Sequence, residues 1–575
     1  MKPVRLPASA TLALPRWGLL ALCLFYIIPG LIGRDPWKNE DAAGFGIMWT
    51  MAHGGLADWL WPNVVGLQRA GEGPLASWIG ALFIKLTGWL IGDMLGARLA
   101  TAAFFVIGSV SVWNSTYLLG RRAEAQPLKL AFGGQPEPAD YGRTLADGAL
   151  LIYLGCLGLL FHSHSTSANA LAVSMVAASM YGAIRFLEHA SYRNAALLGL
   201  AFGLLALTRG WVLPLALYAA LLALTLHRYQ AAVARLLSCT LPVTVLVMAA
   251  WLLACLAVQP FGGSPFESWM HWNFDRLNWP SWGALRYLLK DSAWFAWPAW
   301  PFAGWAVYAW RRQGWPLHII LPSAFVIALA ALALLDPHSD QGLLLPLLPP
   351  LAVLAAFGLP TMKRGAINAV DWFSVMSMTF IACALWLFWI AKMTGWPPSL
   401  ARSALSMVPG YKPEMGWFSL YVALTVTLCW IVLVHWRISR RPSVLWRAVV
   451  LSSAGGILSW VLLMTLWLPT INYSKSYALV AQQIAASMPV QPHPAQRSCV
   501  NSNVGAAQRA SFAYFGNFPF ARYDEARCDF LLLQDNHPKD ETAQRLAHDN
   551  SSWHLIWHGR RPSDRTERFR LYQRE

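Results

Sequence analysis

The stretch 236–258 runs from one loop to the next without a single Asp, Glu, Lys or Arg. A helix rising 1.5 Å per residue needs about 20 apolar residues to cross a hydrocarbon core. Inside lipid, only a helix or a closed barrel satisfies every backbone N–H and C=O. The stretches 145–161 and 448–468 approach the same length. Of 575 residues, 56% are hydrophobic and 13% charged. That charged share is about half of what covers an ordinary soluble protein. The chain also carries 32 tryptophans, whose indoles favour the headgroup boundary. Its class is therefore a polytopic membrane protein, mainly α.

About fourteen apolar stretches compete as spans, and charge sorting arbitrates between them. The stretch 75–91 carries Lys85 at its middle and glycines at 80 and 88, with Asp93 just beyond. Read as an interfacial helix, it leaves about thirteen spans near 17–33, 94–119, 145–161, 168–187, 194–208, 210–226, 236–258, 294–310, 317–335, 342–359, 370–394, 417–436 and 448–468. With the N-terminus inside, one set of loops then collects Arg121/Arg122, Arg185/Arg193, Arg228/Arg235, Arg311/Arg312, Lys363/Arg364 and Arg437/Arg440/Arg441/Arg447. The other set holds Asp35, Glu40, Asp41, Asp58, Glu72, Glu267, Asp275, Asp336 and Asp340. Counting 75–91 as a span scrambles this sorting.

The net charge of +16 is thus spent on orientation, and no nucleic-acid partner is expected. Lys2, Arg5 and Arg16 precede a first apolar stretch too long for a cleaved signal peptide, which reads as a retained span. The expected domains are 1–468, a transmembrane unit, and 469–575, a small α/β domain on the outward side. Six cysteines (Cys23, Cys156, Cys239, Cys255, Cys383, Cys429) lie in apolar segments as small hydrophobes. Cys499 and Cys528 lie in the tail and can pair if it is outside the cytoplasm.

The chemistry concentrates in two long outward loops, 34–93 and 259–293. The first reads Gly33-Arg-Asp-Pro-Trp-Lys-Asn-Glu-Asp41. Glu40 and Asp41 suit a base or metal ligand at the lipid boundary. With Asn39 they equally suit a capped, dipole-matched helix start. Next comes Ala70-Gly-Glu-Gly-Pro-Leu-Ala-Ser-Trp78, where glycines flank Glu72 and Pro74 can open the interfacial helix. In the second loop, Ser268-Trp-Met-His-Trp-Asn-Phe-Asp-Arg-Leu-Asn278 puts His271 and Arg276 five residues apart. Arginine forks naturally onto phosphate oxygens; an aromatic belt with snorkelling basic residues is the alternative.

In order along the chain, Asp58-Trp-Leu-Trp-Pro62, Gly71-Glu-Gly-Pro-Leu75, His271 to Arg276, Leu345-Pro-Leu-Leu-Pro-Pro-Leu-Ala-Val-Leu354, Asp371-Trp-Phe373 and Gly559-Arg-Arg-Pro-Ser-Asp-Arg565 carry a resemblance over nearly the whole length. The chain resembles membrane glycosyltransferases that use polyprenyl-phosphate sugars, in the branch containing the aminoarabinose transferases that modify lipid A. The resemblance implies a GT-C type helical fold in a bacterial inner membrane, with the N-terminus cytoplasmic and the C-terminal domain periplasmic. It implies transfer of a sugar from a polyprenyl-phosphate donor to a lipid or glycan acceptor at the periplasmic face.

Carried over residue by residue, it makes Glu40 and Asp41 the catalytic carboxylates, in reversed order from the family's usual Asp-Glu. It makes Arg276, with Arg69 as a compensating cation, the ligand of the donor phosphate, and Glu72 with His271 the holders of a divalent cation. The family's Glu-Lys-Pro-Pro stands here as Gly71-Glu-Gly-Pro74, so the lysine is missing and Glu72 takes either the acid's place or the lysine's. The family's His, then Asp five residues on, stands here as His164 and Asn169. An acid beside a phosphate repels it at about 4–6 Å unless a cation compensates. The departures leave open a different donor or acceptor, a bound cation, or loss of activity. A non-catalytic polyprenyl-lipid-binding or translocating protein on the same scaffold is the alternative. A transporter is disfavoured by the scarcity of ionisable residues inside the spans.

Overall fold

The computed structural model describes residues 4–12, 14–68, 73–129, 133–258, 265–338, 340–439, 445, 447–488, 499–521, 528–535, 553–564 and 566–574. Among these, nine helices are long and apolar enough to cross a bilayer: Ala8–Ile27, Asp93–Arg121, Ala168–Glu188, Gln230–Ala257, Leu317–Leu335, Gln341–Thr361, Gly365–Thr394, Trp417–Arg437 and Val449–Lys475. The other four expected positions also hold helices, but shorter or less apolar ones. Pro138–Gly155 is separated from Leu157–His162 by extended backbone at Cys156. Tyr192–Arg209, Val212–Arg228 and Ala299–Trp310 complete the set. Large apolar side chains face outward, as lipid-facing surfaces require: Phe380 is 75% exposed and Leu246 68%. Leu75–Ile91 is a 17-residue helix with Leu86, Trp89 and Leu90 exposed on one side. Its other side packs Gly80 against Met48 and Ile84 against Gly96.

Lipid gives no hydrophobic drive to join two apolar helices, so close packing and side-chain hydrogen bonds must do it. The helix Tyr192–Arg209 carries Gly199-Leu-Ala-Phe-Gly203, and the helix Leu241–Ala257 lies directly on those glycines. A Cβ at 199 would meet the Thr240 carbonyl oxygen at 2.5 Å; one at 203 would meet Val247 at 2.6 Å. Thr244 donates to the Gly199 carbonyl at 3.0 Å and Thr240 to that of Ala195 at 3.0 Å. This contact holds the helix whose last residue is Arg209.

The first-loop helix, Glu40–His53, is buried along nearly its whole length. Gly44 faces the turn after Leu157–His162, where a Cβ would meet the Thr166 oxygen at 2.5 Å. Gly46 faces away, and a Cβ there would meet Ala510 at 2.4 Å on the helix Ala506–Gly516. Asn39, in the N-cap position, makes no side-chain cap bond, contrary to expectation.

The tail forms a four-stranded sheet. Val500–Ser502 pairs in parallel with Phe530–Asp535, which pairs antiparallel with Arg568–Arg574, and that in turn with Trp553–Gly559. Ala506–Gly516 is the crossover between the parallel strands. Cys499 and Cys528 are joined as a disulfide at the start of the two parallel strands. The tail shares its core with the first loop, since Phe45, Met48, Val64, Tyr477, Phe512, Phe530 and Phe569 form one cluster. Arg509 donates to the Val65 carbonyl at 2.9 Å and gathers in the hairpin Asn63–Val64/Leu67–Gln68. Arg561, 1% exposed, donates to the Ser474 carbonyl at 2.6 Å, to Asp564 at 2.6 Å and to Glu567 at 3.1 Å. The Gly559–Asp564 stretch of the sequence motif thus fastens the tail to the last span; Arg565 lies outside the described residues.

Gly203→Leu inserts a side chain where Val247 already sits. It is expected to destabilise the fold by about 1–3 kcal/mol, read as a lowered midpoint of thermal unfolding in detergent, whereas Gly304→Ala, which meets open space, leaves the midpoint in place.

Candidate active site

The two adjacent carboxylates of the first loop part company in the structure. Neighbouring residues on a helix point about 100° apart, and here that turn gives the two carboxylates different partners. Asp41 is 6% exposed. Its Oδ2 accepts from Arg34 at 3.0 Å, from the Trp37 backbone at 3.1 Å and from Arg98 at 3.4 Å. Its Oδ1 accepts from the Thr166 backbone N–H at 2.8 Å and the Thr166 hydroxyl at 3.0 Å. Burial alone would raise this carboxyl, but the Arg34 and Arg98 charges and the backbone donors hold it well below the usual carboxylate range. A carboxylate so occupied is not a base for an acceptor. These contacts make Asp41 an anchor between the first loop and the Thr166 turn.

Glu40, half-buried, opens the same helix and points elsewhere. Asn169, on the helix Ala168–Glu188, donates its Nδ2 to Glu40 Oε2 at 2.6 Å. The Asn169 carbonyl in turn accepts from Arg209 Nη1. Arg209 Nη2 pairs with Asp340 at 3.4 Å. Gly342 closes over this chain, since a Cβ there would meet Arg209, Asp340 and Asn169 all within 2.9 Å. His164 is wholly buried in a different role. Nε2 faces the Tyr26 carbonyl at 2.8 Å and Nδ1 lies 3.2 Å from the Ser163 hydroxyl. Burial first, then the Arg34 charge, press its imidazole down to about 3, so it is neutral.

Arg209 also lines a cleft together with Arg276, Trp272, Asp336, Leu329 and Leu343. Arg276 lies just past the helix Pro265–Asp275, over the Trp272 ring at 4.2 Å and paired with Asp336 at 3.0 Å. Burial, then the neighbouring Arg209 charge, press its guanidinium below its ordinary value. Val212, Leu213, Leu332, Ala333 and Pro346 complete an apolar floor. The cleft lining therefore combines two guanidiniums, each paired with a carboxylate, with apolar leucine, alanine and proline side chains. Asn169 and His162 border a second, narrower crevice with Tyr153 and Leu345.

His271 does not join this site. Five residues on a helix amount to about 140° of net rotation, and His271 stands exposed while Trp272 and Arg276 face the cleft. Arg69 and Glu72 lie outside the described residues. Among the described residues, no group of three or more His, Cys, Asp or Glu side chains has metal-holding geometry. Asp371 pairs with Arg437, away from this site. Arg209 was missed because the sequence reading weighed the long loops. The signal was its place: the topology puts Arg209 in the tight turn between spans 194–208 and 210–226, on the same outward side as Glu40 and Arg276.

No protein-family model matches the sequence, and no curated protein matches it. The fold does match solved structures. The crystal structure of ArnT from Cupriavidus metallidurans bound to undecaprenyl phosphate superposes with a TM-score of 0.68 over 96% of this chain and 97% of that one, at 16% identity. The apo structure of the same protein gives a TM-score of 0.66 with the same coverage and identity. The chain thus has the polytopic helical fold of ArnT, including the small C-terminal sheet domain.

Asp41→Asn leaves Arg34 and Arg98 without their anion and is expected to cost about 3–5 kcal/mol, seen as a large fall in thermal stability; Glu40→Gln leaves stability near that of the parent. Because the Asp41 carboxyl is depressed in the folded state, its contribution is present above an unfolded carboxyl's pKa of about 4 and is lost as pH falls below that. Thermal stability in detergent, measured from pH 7 down to pH 3, is expected to show this acid limb in the parent and to lack much of it in Asp41→Asn.

Proposed function

We propose that this protein is an inverting membrane glycosyltransferase that moves a sugar from a polyprenyl-phosphate donor to a lipid or glycan acceptor at the periplasmic face of a bacterial inner membrane. The observation that carries the reading is the cleft, whose lining brings two guanidiniums, Arg209 and Arg276, together with leucine, alanine and proline side chains. A phosphate on a prenyl chain has that polarity, charged at one end and hydrocarbon along the rest. The fold shared with a protein whose crystal structure holds undecaprenyl phosphate supports the same ligand class.

In this mechanism Arg276 holds the donor phosphate. The acceptor oxygen attacks the anomeric carbon from the face opposite that phosphate, the new C–O bond forms, and the C–O bond to phosphate breaks. The leaving phosphate keeps the electron pair, and its charge is met by Arg276. Glu40, held by Asn169, takes the proton of a hydroxyl acceptor; a phosphate acceptor needs only to be oriented. Asp41 keeps Glu40 in position and does not touch substrate.

The test is transfer of labelled sugar by the purified protein from a panel of polyprenyl-phosphate donors. The parent is expected to transfer, Glu40→Gln to lose at least about a hundredfold, as removal of a general base does, and Arg276→Gln to bind undecaprenyl phosphate more weakly. Equal transfer by parent and Glu40→Gln defeats the catalytic role of Glu40. Undecaprenyl phosphate binding with no transfer from any donor favours a lipid-binding protein instead.

A further inference from the structure

Two features of the cleft have separate origins in the chain and yet are built as one. The turn after Tyr192–Arg209 is pinned by Asn273: its Oδ1 accepts from the Trp211 backbone at 3.0 Å, and a Cβ at Gly210 would strike that same oxygen at 2.3 Å. Gly210 takes a positive φ of 90°, which suits glycine. Asn273 is itself fixed by its Nδ2 donating to the Trp269 carbonyl at 2.7 Å. One turn of helix further on stands Arg276, so the clamp that sets the Arg209 turn also sets the distance between the two guanidiniums.

The planar fork of Arg209 is split between two partners of unequal hold. Nη1 donates to the Asn169 amide oxygen, in a spot closed by Gly342. Nη2 meets Asp340 at 3.4 Å, a long contact to a carboxylate that is 40% exposed. Exposed, long ion pairs hold weakly. An anionic phosphate entering the cleft can take Nη2 from Asp340 and relieve the repulsion between Arg209 and Arg276, while Nη1 stays on Asn169. Asn169 meanwhile spends its Nδ2 on Glu40. An amide is suited to this double duty because it offers both an acceptor and a donor; a carboxylate in that place would have only acceptors to set against Glu40.

We propose that Arg209 is the second cation for the donor phosphate and that Asn169 is a positioning residue, which carries the set of the Arg209 guanidinium to the Glu40 carboxylate. The phosphate that departs and the carboxylate that activates the acceptor are then held in one hydrogen-bonded chain, phosphate–Arg209–Asn169–Glu40. This inference rests on the glycosyl-transfer reading above.

The experiment uses the full-length protein in nanodiscs, with undecaprenyl phosphate as the binding probe and labelled-sugar transfer for kcat and donor KM. Arg209→Lys keeps the charge and loses the fork, and is expected to weaken probe binding by about tenfold. Asp340→Asn frees Nη2 and is expected to strengthen binding by a few-fold. Asn169→Ala is expected to bind the probe within about twofold of the parent and to keep the donor KM, yet to lose at least about tenfold in kcat. Asn169→Ser, a smaller perturbation of packing, is expected to follow the same split. Unchanged binding in both Arg209→Lys and Arg209→Gln overturns the phosphate role. Parental kcat in Asn169→Ala, or a loss of probe affinity as large as that of Arg209→Lys, overturns the coupling. A parent that binds no undecaprenyl phosphate defeats the underlying reading instead, and so the two failures are told apart.

Discussion

The Asp41 carboxylate is the constraint on which the rest of the site depends. It is buried with two arginines, so the cluster holds one more positive charge than negative, and removing the anion would strand both cations. Arg98 donates to the His164 carbonyl at 3.0 Å and the Asp35 carbonyl at 2.9 Å, and Arg34 lies over Trp37 at 3.8 Å, while Arg34 Nε and Nη1 and Arg98 Nε are buried without a hydrogen bond. Each partner belongs to a different segment: the first loop, the helix Asp93–Arg121 and the turn 163–167. One carboxylate therefore fixes three segments against each other. Glu40, one residue earlier, inherits that placement without sharing the charge.

The cleft shows the opposite electrostatic design. Arg276 faces Asp336, which is 3% exposed, while Arg209 faces Asp340, which is 40% exposed. A buried pair is costly to break because the remaining charge is stranded, whereas an exposed one is exchanged cheaply against water or a ligand. Asp336 is also held in place, accepting from the His338 backbone N–H at 2.8 Å. The two pairs thus differ in kind: Arg276 is held against a buried carboxylate and Arg209 against a more exposed one, in a cleft whose other lining is largely apolar.

Much of the architecture was legible in the sequence because lipid enforces it: apolar length and charge sorting identified the helical class and set 75–91 apart as a helix with an exposed apolar face. What spacing does not carry is which way a side chain turns. Glu40 and Asp41 read as a pair, and only the Thr166 turn, far along the chain, decides that one of them is an anchor. His271 and Arg276 read as partners at a spacing of five, which places them on different helix faces. Asn169 and Arg209 stood in the sequence as a substitution and an unremarked turn residue. Their meaning lies in a contact between two helices that no local pattern encodes. Among the described residues nine helices are long and apolar enough to span, and the other four expected positions hold helices that are short or less apolar, one broken at Cys156 and one begun late at Ala299.

The tail was expected as a separate domain beyond residue 468, and the shared core changes what it can do. It is fastened to the first loop at Gly46 against Ala510 and at Val65 against Arg509, and to the last span at Ser474 against Arg561. Lifting it as a hinged lid would uncover Phe45, Met48 and Met51, which are at most 2% exposed. At about 1.5–3 kcal/mol for each fully buried side chain of that kind, such an opening is expensive beside the exchange of a single exposed ion pair. The motion the structure makes cheap lies at Asp340 and the end of the Arg209 side chain, within reach of the cleft, and the tail serves as a fixed support for the helix that carries Glu40.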